Sequence, residues 1–283
     1  MLLAVDIGNT NVTFGLYERR KLRHTFRAST VRTHTADEYG VLLHQMFELR
    51  GLERYRIAAA IIASVVPPLT DVMADAIRHA FSCEPMLVDM DLVTGMPVLY
   101  ESPRDVGADR IVNAVAAFER YRAGVIVVDF GTATTFDCIS PRGEYLGGVI
   151  VPGIQVSLDA LLGRAAKLSR IEIAEPPSVV GRTTTHSLQS GVVHGYAALV
   201  DGLVKKLVAE LGFPCRVIAT GGLAPLIARH ASTVEAVDED LTLDGLALLH
   251  ERNARPRATR AKGKVTRPAG SARDKARSRA RPT

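Results

Sequence analysis

The chain has 283 residues, which is enough for one large domain or two ordinary ones. Apolar residues make up 47% and charged residues 23%, proportions that are typical of globular proteins and exclude a disordered or fibrous chain. No apolar run reaches the roughly 18–20 residues of a membrane span. The N-terminus reaches Asp6 without a basic region, so we expect no signal peptide. The three cysteines are far apart and form no CxxC pair, which favours reduced thiols and a cytoplasmic location.

The net charge of +5 is an average over two unlike parts of the chain. Residues 252–283 include 12 Lys and Arg residues and a single acid, Asp274, whereas the other 251 residues include 23 basic and 29 acidic residues. The body is therefore mildly acidic and the tail strongly basic. The tail has almost no bulky apolar side chains, which predicts a disordered basic tail at 254–283. Contact between such a polycation and nucleic acid stays open.

The first half predicts three strands followed by alternating helices and strands. LLAVDI at 2–7 has the pattern of a buried strand, and alternating segments at 12–17 and 21–26 predict two more. A capping box at Thr35–Glu38 begins a helix that Gly51 ends. Further patterns predict a strand at 58–66, a helix to about residue 80, a strand near 86–88 and a helix at 108–121.

The second half begins as the first does. VDFGTA at 128–133 repeats the pattern of VDIGNT at 5–10, and each string follows an apolar strand and precedes an alternating segment. The later patterns predict helices near 154–166, at 185–211 and at 241–253, and a strand at 216–220. Strands that alternate with helices indicate an α/β fold. The repeat indicates two similar α/β domains facing a cleft, at 1–120 and 121–253.

Several common nucleotide and hydrolase motifs are absent from the sequence. It contains no GxxxxGK[ST] P-loop, no GxGxxG dinucleotide fingerprint, no HExxH and no GxSxG nucleophile elbow. Any phosphate chemistry in this chain must therefore use other groups.

Two acidic turns are the first candidates for such chemistry. Asp6 ends a strand, and the turn after it supplies backbone N–H groups and the side chains of Asn9, Thr10 and Asn11. Oriented amides in such a turn bind phosphate, and a carboxylate can hold a magnesium ion. A plain hairpin turn with an Asx bond is the alternative. The second copy at Asp129–Thr135 favours two turns that clamp a polyphosphate from both sides.

The entrance to the predicted helix at 108–121 is another candidate. Gly107 lets two backbones approach closely, Asp109 lies in the first helical turn, and Arg110 follows it. The helix dipole favours a carboxylate at that position, so helix capping is the alternative role for Asp109. A solvated surface charge is the alternative for Arg110. The pair Gly221-Gly222 leaves room for a planar base against the backbone, or is a plain strand-to-helix turn.

Taken in order, these segments resemble the type III pantothenate kinases over about residues 1–253. The shared motifs are DIGNTN at 6–11, YxxP at 100–103, GxDR at 107–110, DFGTATT at 129–135, LGGVIVPG at 146–153, GRT at 181–183, TGGL at 220–223 and LTLDGL at 241–246. No single motif is decisive, but the ordered set is specific. The resemblance implies two ribonuclease-H-like domains that hold ATP between them, as in sugar and acetate kinases, actin and heat-shock chaperones.

The same resemblance implies ATP-dependent phosphorylation of pantothenate to 4′-phosphopantothenate, the first step of coenzyme A biosynthesis, by a homodimer. It implies that Asp109 is the general base, that Asp6 is a magnesium ligand, and that Asp129 holds a monovalent cation, potassium or ammonium. The residues implied to bind ATP are Asp6, Gly8, Asn9, Thr10, Asn11, Val12, Thr13 and Thr132. The residues implied to bind pantothenate are Tyr100, Gly107, Ala108, Arg110 and Thr184. Among them, Arg110 is the natural partner of the substrate carboxylate.

Two other functions stay open at this point. One is a kinase or phosphatase of the same superfamily that acts on another small acid or a polyphosphate. The other is a regulatory protein without catalysis whose basic tail binds nucleic acid. The presence of Asp6, Asp109 and Asp129 argues against lost catalysis.

Overall fold

Two five-stranded mixed sheets with flanking helices form the molecule. The computed structural model describes residues 1–52, 57–89, 92–165 and 168–254. The predicted basic tail, apart from Ala254, therefore lies outside the described residues.

The first sheet has the strand order β3-β2-β1-β4-β5. Its strands are β1 (Leu2–Ile7), β2 (Asn11–Glu18), β3 (Lys21–Ser29), β4 (Ala59–Ser64) and β5 (Pro85–Leu87). β1 pairs antiparallel with β2 and parallel with β4, and β2 pairs antiparallel with β3.

The second sheet has the order β10-β9-β6-β7-β8. Its strands are β6 (Gly124–Phe130), β7 (Ala133–Ile139), β8 (Tyr145–Pro152), β9 (Cys215–Thr220) and β10 (Ala236–Val237). β6 pairs antiparallel with β7 and parallel with β9, as β1 does with β2 and β4. Read from β8, the two sheets have the same topology, which confirms the internal repeat predicted from the sequence.

Seven α-helices flank these sheets within the described part of the chain. They are α1 (Ala36–Leu49), α2 (Pro67–Phe81), α3 (Ala108–Tyr121), α4 (Ile154–Arg164), α5 (Thr184–Leu211), α6 (Ala224–Ile227) and α7 (Leu241–Ala254). The capping box predicted at Thr35 is present at the start of α1. Pro67 and Pro68 do more than end a strand, because they occupy the first turn of α2, where no N–H partner is needed.

The two faces of β1 and β6 have different partners. Leu3, Val5 and Ile7 pack with α1 and α2 in one core cluster, whereas Ala4 joins a cluster that contains α3 and α7. In β6, Ile126, Val128 and Phe130 pack with α4 and α5, whereas Val125 and Val127 join the same central cluster as Ala4. Helices α3 and α7 are therefore packed between the two sheets. Strand alternation assigns Asp6 and Asp129 to the same central side.

Two elements of the second half were not predicted from the sequence. Helix α6 has four residues and β10 has two, and both fall between the predicted strand at 216–220 and the last helix. No α-helix in the described ranges is long and apolar enough to cross a bilayer.

Candidate active site

Asp6 and Asp129 occupy equivalent positions in the two sheets. Each is the penultimate residue of the first strand of its sheet, and each is paired to a threonine of the next strand, Asp6 to Thr13 and Asp129 to Thr135. On its other side, each of these strands pairs with a parallel strand, and Asp6 lies opposite Ala63 of β4. The repeat thus delivers two carboxylates to the same region between the sheets.

The turns that follow these carboxylates meet each other. The hydroxyl oxygens of Thr10 and Thr132 lie 2.8 Å apart, within hydrogen-bonding distance. The Gly8 N–H donates to the carbonyl of Asn11 at 3.0 Å, which closes the first turn. Arg32 donates from Nη2 to Oδ1 of Asn9 at 2.9 Å and brings a positive charge to this turn. Sequence reasoning missed Arg32, which follows β3 and belongs to none of the motifs.

Asp109 joins the two strand carboxylates from the start of α3. Its Oδ1 accepts a hydrogen bond from the backbone N–H of Arg110 at 2.8 Å. Gly107 is the N-cap of the helix, and a Cβ there would lie 2.5 Å from Oδ1 of Asp109, so a side chain at 107 would displace this carboxylate from its present position. The helix-end geometry proposed for Asp109 as a cap is therefore present, and it coexists with a position beside the other two acids.

Burial and neighbouring acids raise the pKa values of Asp6 and Asp129, and burial raises that of Asp109. Burial and the negative charges of Asp109 and Asp129 raise the pKa of Asp6 from 3.8 to about 8. Burial and the charges of Asp109 and Asp137 raise the pKa of Asp129 from 3.8 to about 7. Burial also raises the pKa of Asp109, although the Arg110 N–H and guanidinium oppose that rise. Carboxylates with pKa values raised in this way attract either protons or cations.

Asp129 is oriented by Asn113, which belongs to none of the sequence motifs, and by residues of two motifs whose part in this was not predicted. Asn113 of α3 donates from Nδ2 to Oδ2 of Asp129 at 3.1 Å, and the hydroxyl of Thr242 donates to Oδ1 of Asn113 at 2.7 Å. Gly221 has φ +91°, and a Cβ there would lie 2.6 Å from Oδ1 of Asp129. The first glycine of the pair at 221–222 is thus required by both its backbone conformation and the nearby carboxylate.

Arg110 forms a buried ion pair on the other side of Asp109. Its Nε donates to Oδ1 of Asp137 at 2.7 Å, and the hydroxyl of Tyr145 donates to the same oxygen at 2.8 Å. Asp137 is fully buried and Arg110 nearly so, which excludes the alternative of a solvated surface charge for Arg110. Tyr100 lies beside Gly147 of β8, because a Cβ on Gly147 would lie 3.4 Å from the Tyr100 ring.

The remaining residues predicted to bind ATP or pantothenate differ in their position and in what their side chains contact. Val12 packs its side chain into the core with α1 and α2, so only its backbone is available for ATP. Ala108 is the first residue of α3 and Asn11 the first of β2. Thr184 begins α5, is exposed, and makes no side-chain hydrogen bond to any residue that the structure describes. The structure therefore brings together the acids, the two turns, Tyr100 and Arg110, but not Thr184.

Solved structures of other proteins share this fold. The chain is similar to an activator of 2-hydroxyisocaproyl-CoA dehydratase from Clostridium difficile with bound ADPNP (TM-score 0.53, 12% identity, 88% of this chain and 94% of that one). It is also similar to the ethanolamine utilization protein EutJ from Carboxydothermus hydrogenoformans (TM-score 0.53, 17% identity, 87% and 89%). These likenesses show the fold, and together with the repeated sheet topology they confirm the predicted α/β fold of two ribonuclease-H-like domains.

The sequence comparisons give the family. The profile of the type III pantothenate kinase family matches residues 2–206. A type III pantothenate kinase of Anaeromyxobacter dehalogenans (strain 2CP-C) is 57% identical over 253 residues, which cover 89% of this chain and 100% of the relative. The enzyme of the same name from Myxococcus xanthus (strain DK1622) is 52% identical over 253 residues, 89% of this chain and 99% of the relative. The chain belongs to the type III pantothenate kinase family.

Proposed function

We propose that this chain transfers the γ-phosphoryl group of ATP to the primary hydroxyl of pantothenate, the reaction for which its family is named. The observation that carries the proposal is the meeting of Asp6, Asp109 and Asp129 beside two hydroxyl-rich turns that touch through Thr10 and Thr132. Acids and phosphate-binding turns at one place suit a phosphoryl transfer, which depends mainly on positioning and charge stabilisation.

The acids fit the cations that the reaction needs. Magnesium prefers oxygen ligands and binds through one or two carboxylates together with phosphate oxygens and water. No group of three or more His, Cys, Asp or Glu side chains among the described residues is placed to hold a metal by itself. We assign Asp6 to magnesium and Asp129 to potassium or ammonium. When bound, these cations neutralise charge on the phosphoryl group, a task that no P-loop lysine performs here.

Asp109 is proposed as the general base. The N–H of Arg110 holds one oxygen of this carboxylate and so fixes its orientation at the start of α3. The raised pKa of Asp109 makes it a stronger proton acceptor than an exposed aspartate near neutral pH. In this assignment Asp109 accepts the proton of the pantothenate hydroxyl while the turns hold the phosphates in line.

The two turns are proposed to hold the phosphates of ATP. The residues assigned to ATP binding are Asp6, which acts through magnesium, and Gly8, Asn9, Thr10, Asn11, Val12, Thr13 and Thr132. The supporting contacts are the closed turn at Gly8 and the hydroxyl pair of Thr10 and Thr132. Arg32 adds a guanidinium next to Asn9 and is a further candidate for phosphate contact.

Pantothenate is proposed to lie between Asp109 and the loop that carries Tyr100. Gly107, Ala108 and Arg110 line this region at the start of α3. Thr184 is exposed and makes no side-chain hydrogen bond within the described residues, and Val179 and Val180 near it are 68% and 76% exposed. Exposed apolar residues of this kind favour burial against a partner. We therefore retain the homodimer as a proposal, with the N-terminal end of α5 at or near its interface.

The domain boundaries and the cellular location are also part of the proposal. We propose domains at 1–120 and 121–253, with α3 and α7 packed between the sheets as the elements that join them. We also propose a cytoplasmic enzyme, in keeping with cysteines that form no disulfide in the described residues.

The direct test is mass analysis of the products formed from ATP, magnesium, potassium and pantothenate. We expect ADP and 4′-phosphopantothenate in equal amounts, and no product when pantothenate is omitted. ATP consumption with other small acids but not with pantothenate would assign the chain to a different kinase or phosphatase activity. No ATP consumption with any acceptor would reject catalysis and favour the regulatory alternative.

A further inference from the structure

The ion pair between Arg110 and Asp137 is supported by two neighbouring hydroxyl groups and by an aromatic ring. Asp137 lies in β7 and is fully buried, and its Oδ1 accepts from both Nε of Arg110 (2.7 Å) and the hydroxyl of Tyr145 (2.8 Å). The hydroxyl of Thr135 donates to its Oδ2 at 3.3 Å. The Arg110 guanidinium also lies 5.9 Å from the centre of the Tyr145 ring. The acid and the ring together fix one edge of the guanidinium.

The other end of the guanidinium has no acceptor in the described residues. Nη2 of Arg110 is buried and makes no hydrogen bond. Gly148 of β8 keeps a side chain out of the space beside it, because a Cβ there would lie 3.2 Å from Nη2 and 1.7 Å from the carbonyl oxygen of Phe136. A buried guanidinium with unused donors is costly unless another group supplies acceptors. A carboxylate is the group that best matches a guanidinium.

We propose that Asp137 and Tyr145 are positioning residues that hold Arg110 for the carboxylate of the acceptor substrate. This inference rests on the proposed function and adds two residues that act through Arg110, without touching the reacting atoms. Their part in the reaction is to make the enzyme prefer an acceptor with a carboxylate at the end remote from the phosphorylated hydroxyl. The preference arises because a pre-oriented guanidinium binds a carboxylate with less loss of side-chain entropy than a mobile one.

The chain contains a matched control for this arrangement. Asp244 of α7 accepts from the hydroxyl of Tyr17 at 2.7 Å and from Nη2 of Arg120 at 2.7 Å. This second Asp-Tyr-Arg set uses the same residue types, but it lies in α7, β2 and α3, and its Asp244 and Arg120 side chains are 34% and 42% exposed. A substitution of Asp244 therefore disrupts a similar hydrogen-bond network without altering the residues around Arg110.

The experiment compares two acceptors, pantothenate and pantothenyl alcohol, which has a CH₂OH group in place of the carboxylate and keeps the hydroxyl that is phosphorylated. For wild type, we expect kcat/KM to favour pantothenate by roughly 10–100-fold, the value of a charge-assisted hydrogen bond. Asp137→Asn should reduce that preference by about tenfold, mainly through a higher KM for pantothenate. Tyr145→Phe should reduce it less, and Asp244→Asn should leave it unchanged.

A double-variant comparison shows whether Asp137 acts through Arg110. In an Arg110→Gln background, adding Asp137→Asn should change the preference by less than about twofold, because the two residues belong to one unit. A folded Asp137→Asn protein that loses activity equally on both acceptors would overturn the inference and leave Asp137 a structural residue. If Asp137→Asn does not fold, Tyr145→Phe decides by the same criterion.

Two outcomes with wild type separate this inference from the function on which it rests. Equal kcat/KM for pantothenate and pantothenyl alcohol would overturn the positioning role while the kinase activity stands. Absence of activity on pantothenate would overturn the proposed function itself. Thermal melting of every variant, with and without ATP, monitors folding alongside these measurements.

Discussion

The hydroxyls of Thr10 and Thr132 lie 2.8 Å apart although 122 residues separate them in the sequence. Each belongs to the turn after the first strand of its sheet, and the turn of Thr10 is one residue longer than that of Thr132. The contact joins the two copies of the repeat at the point where the phosphates of ATP are proposed to bind. A phosphate that enters between the turns would replace this hydroxyl pair with two hydrogen bonds of its own.

Replacing Thr132 by Ala should therefore weaken ATP binding. We expect KM for ATP to rise by about tenfold, the loss of one hydrogen bond to a charged phosphate, while KM for pantothenate changes little. Steady-state kinetics with each substrate varied in turn measures both values. Thr25→Ala, an exposed threonine of β3, is the control and should behave as wild type. An unchanged KM for ATP would remove Thr132 from the phosphate site.

Replacing Asp109 by Asn should remove the general base. We expect kcat to fall by ~10²–10⁴-fold while ATP still binds, because the amide cannot accept the hydroxyl proton but preserves the shape of the site. Quench-flow or coupled assays measure kcat, and titration of a fluorescent nucleotide measures binding. Asp105→Asn, an exposed acid in the same segment, is the control. Activity within a few-fold of wild type would leave Asp109 with a helix-capping role only.

Potassium or ammonium should be needed for full activity. The assignment of Asp129 to the monovalent cation motivates this expectation, and sodium should substitute poorly. Asn113→Ala removes the donor that orients Asp129, so it should raise the potassium concentration needed for half-maximal rate. Asp129→Ala should also weaken ATP use. Equal rates in sodium and potassium buffers at matched ionic strength would contradict a monovalent-cation site.

The acid cluster should make folding stability depend on pH in the absence of metal. The pKa of Asp6 is raised from 3.8 to about 8 in the folded chain, so the folded state holds this proton more tightly than the unfolded state. Its contribution to stability is complete below about pH 4 and is lost as pH rises through 8. Asp6→Asn stays neutral, and its melting temperature relative to wild type should therefore be higher at pH 8.5 than at pH 5.

Calorimetry in EDTA provides that measurement. Asp105→Asn is again the control and should show the same difference from wild type at both pH values. Magnesium added at pH 8.5 should raise the melting temperature of wild type more than that of Asp6→Asn, because a cation favours the ionised carboxylate. A melting difference that does not change between pH 5 and 8.5 would contradict the raised pKa.

The sequence predicted the parts of this site that follow from local pattern. Strand alternation is enough to place Asp6 and Asp129 on one side of their strands, and the repeated string is enough to place them at equivalent positions. The residues that contact these side chains could not be predicted from local pattern. Asn113, Asp137 and Thr242 act through contacts across 16 to 129 residues, and such contacts exist only after the two sheets enclose α3 and α7.

The sequence next to one motif contains a partial signal for Asp137. DFGTATT at 129–135 was treated as a turn with one acid, although Asp137 follows it by two residues and so lies on the same face of β7 as Thr135. Its pairing with Arg110 depends on the approach of a helix from the other half of the chain. Helix α6 and strand β10 were missed for a different reason, since four and two residues are too few to show a periodic pattern.

The basic tail should be dispensable for catalysis. The relatives match this chain over 253 residues and that stretch covers all of the Anaeromyxobacter dehalogenans protein, so a kinase of this family needs no counterpart of the tail. Helix α7 continues through Ala254, and the deletion should therefore begin at Arg255 and end at Thr283. We expect kcat/KM for pantothenate and for ATP to change by less than about twofold, within the effect of a surface change.

The same deletion should remove a salt-sensitive attraction to polyanions. Residues 255–283 contain 11 Lys and Arg residues and one acid, whereas the body is acidic, so the tail accounts for the basic pI of about 9.2. Contacts between such a segment and nucleic acid release counterions and weaken steeply as salt rises. Full-length and truncated protein are compared on a heparin column and with single-stranded DNA at low and moderate salt. Equal retention of the two forms would show that this charge segregation has no binding consequence, and a truncated protein without kinase activity would assign the tail to the fold or the site.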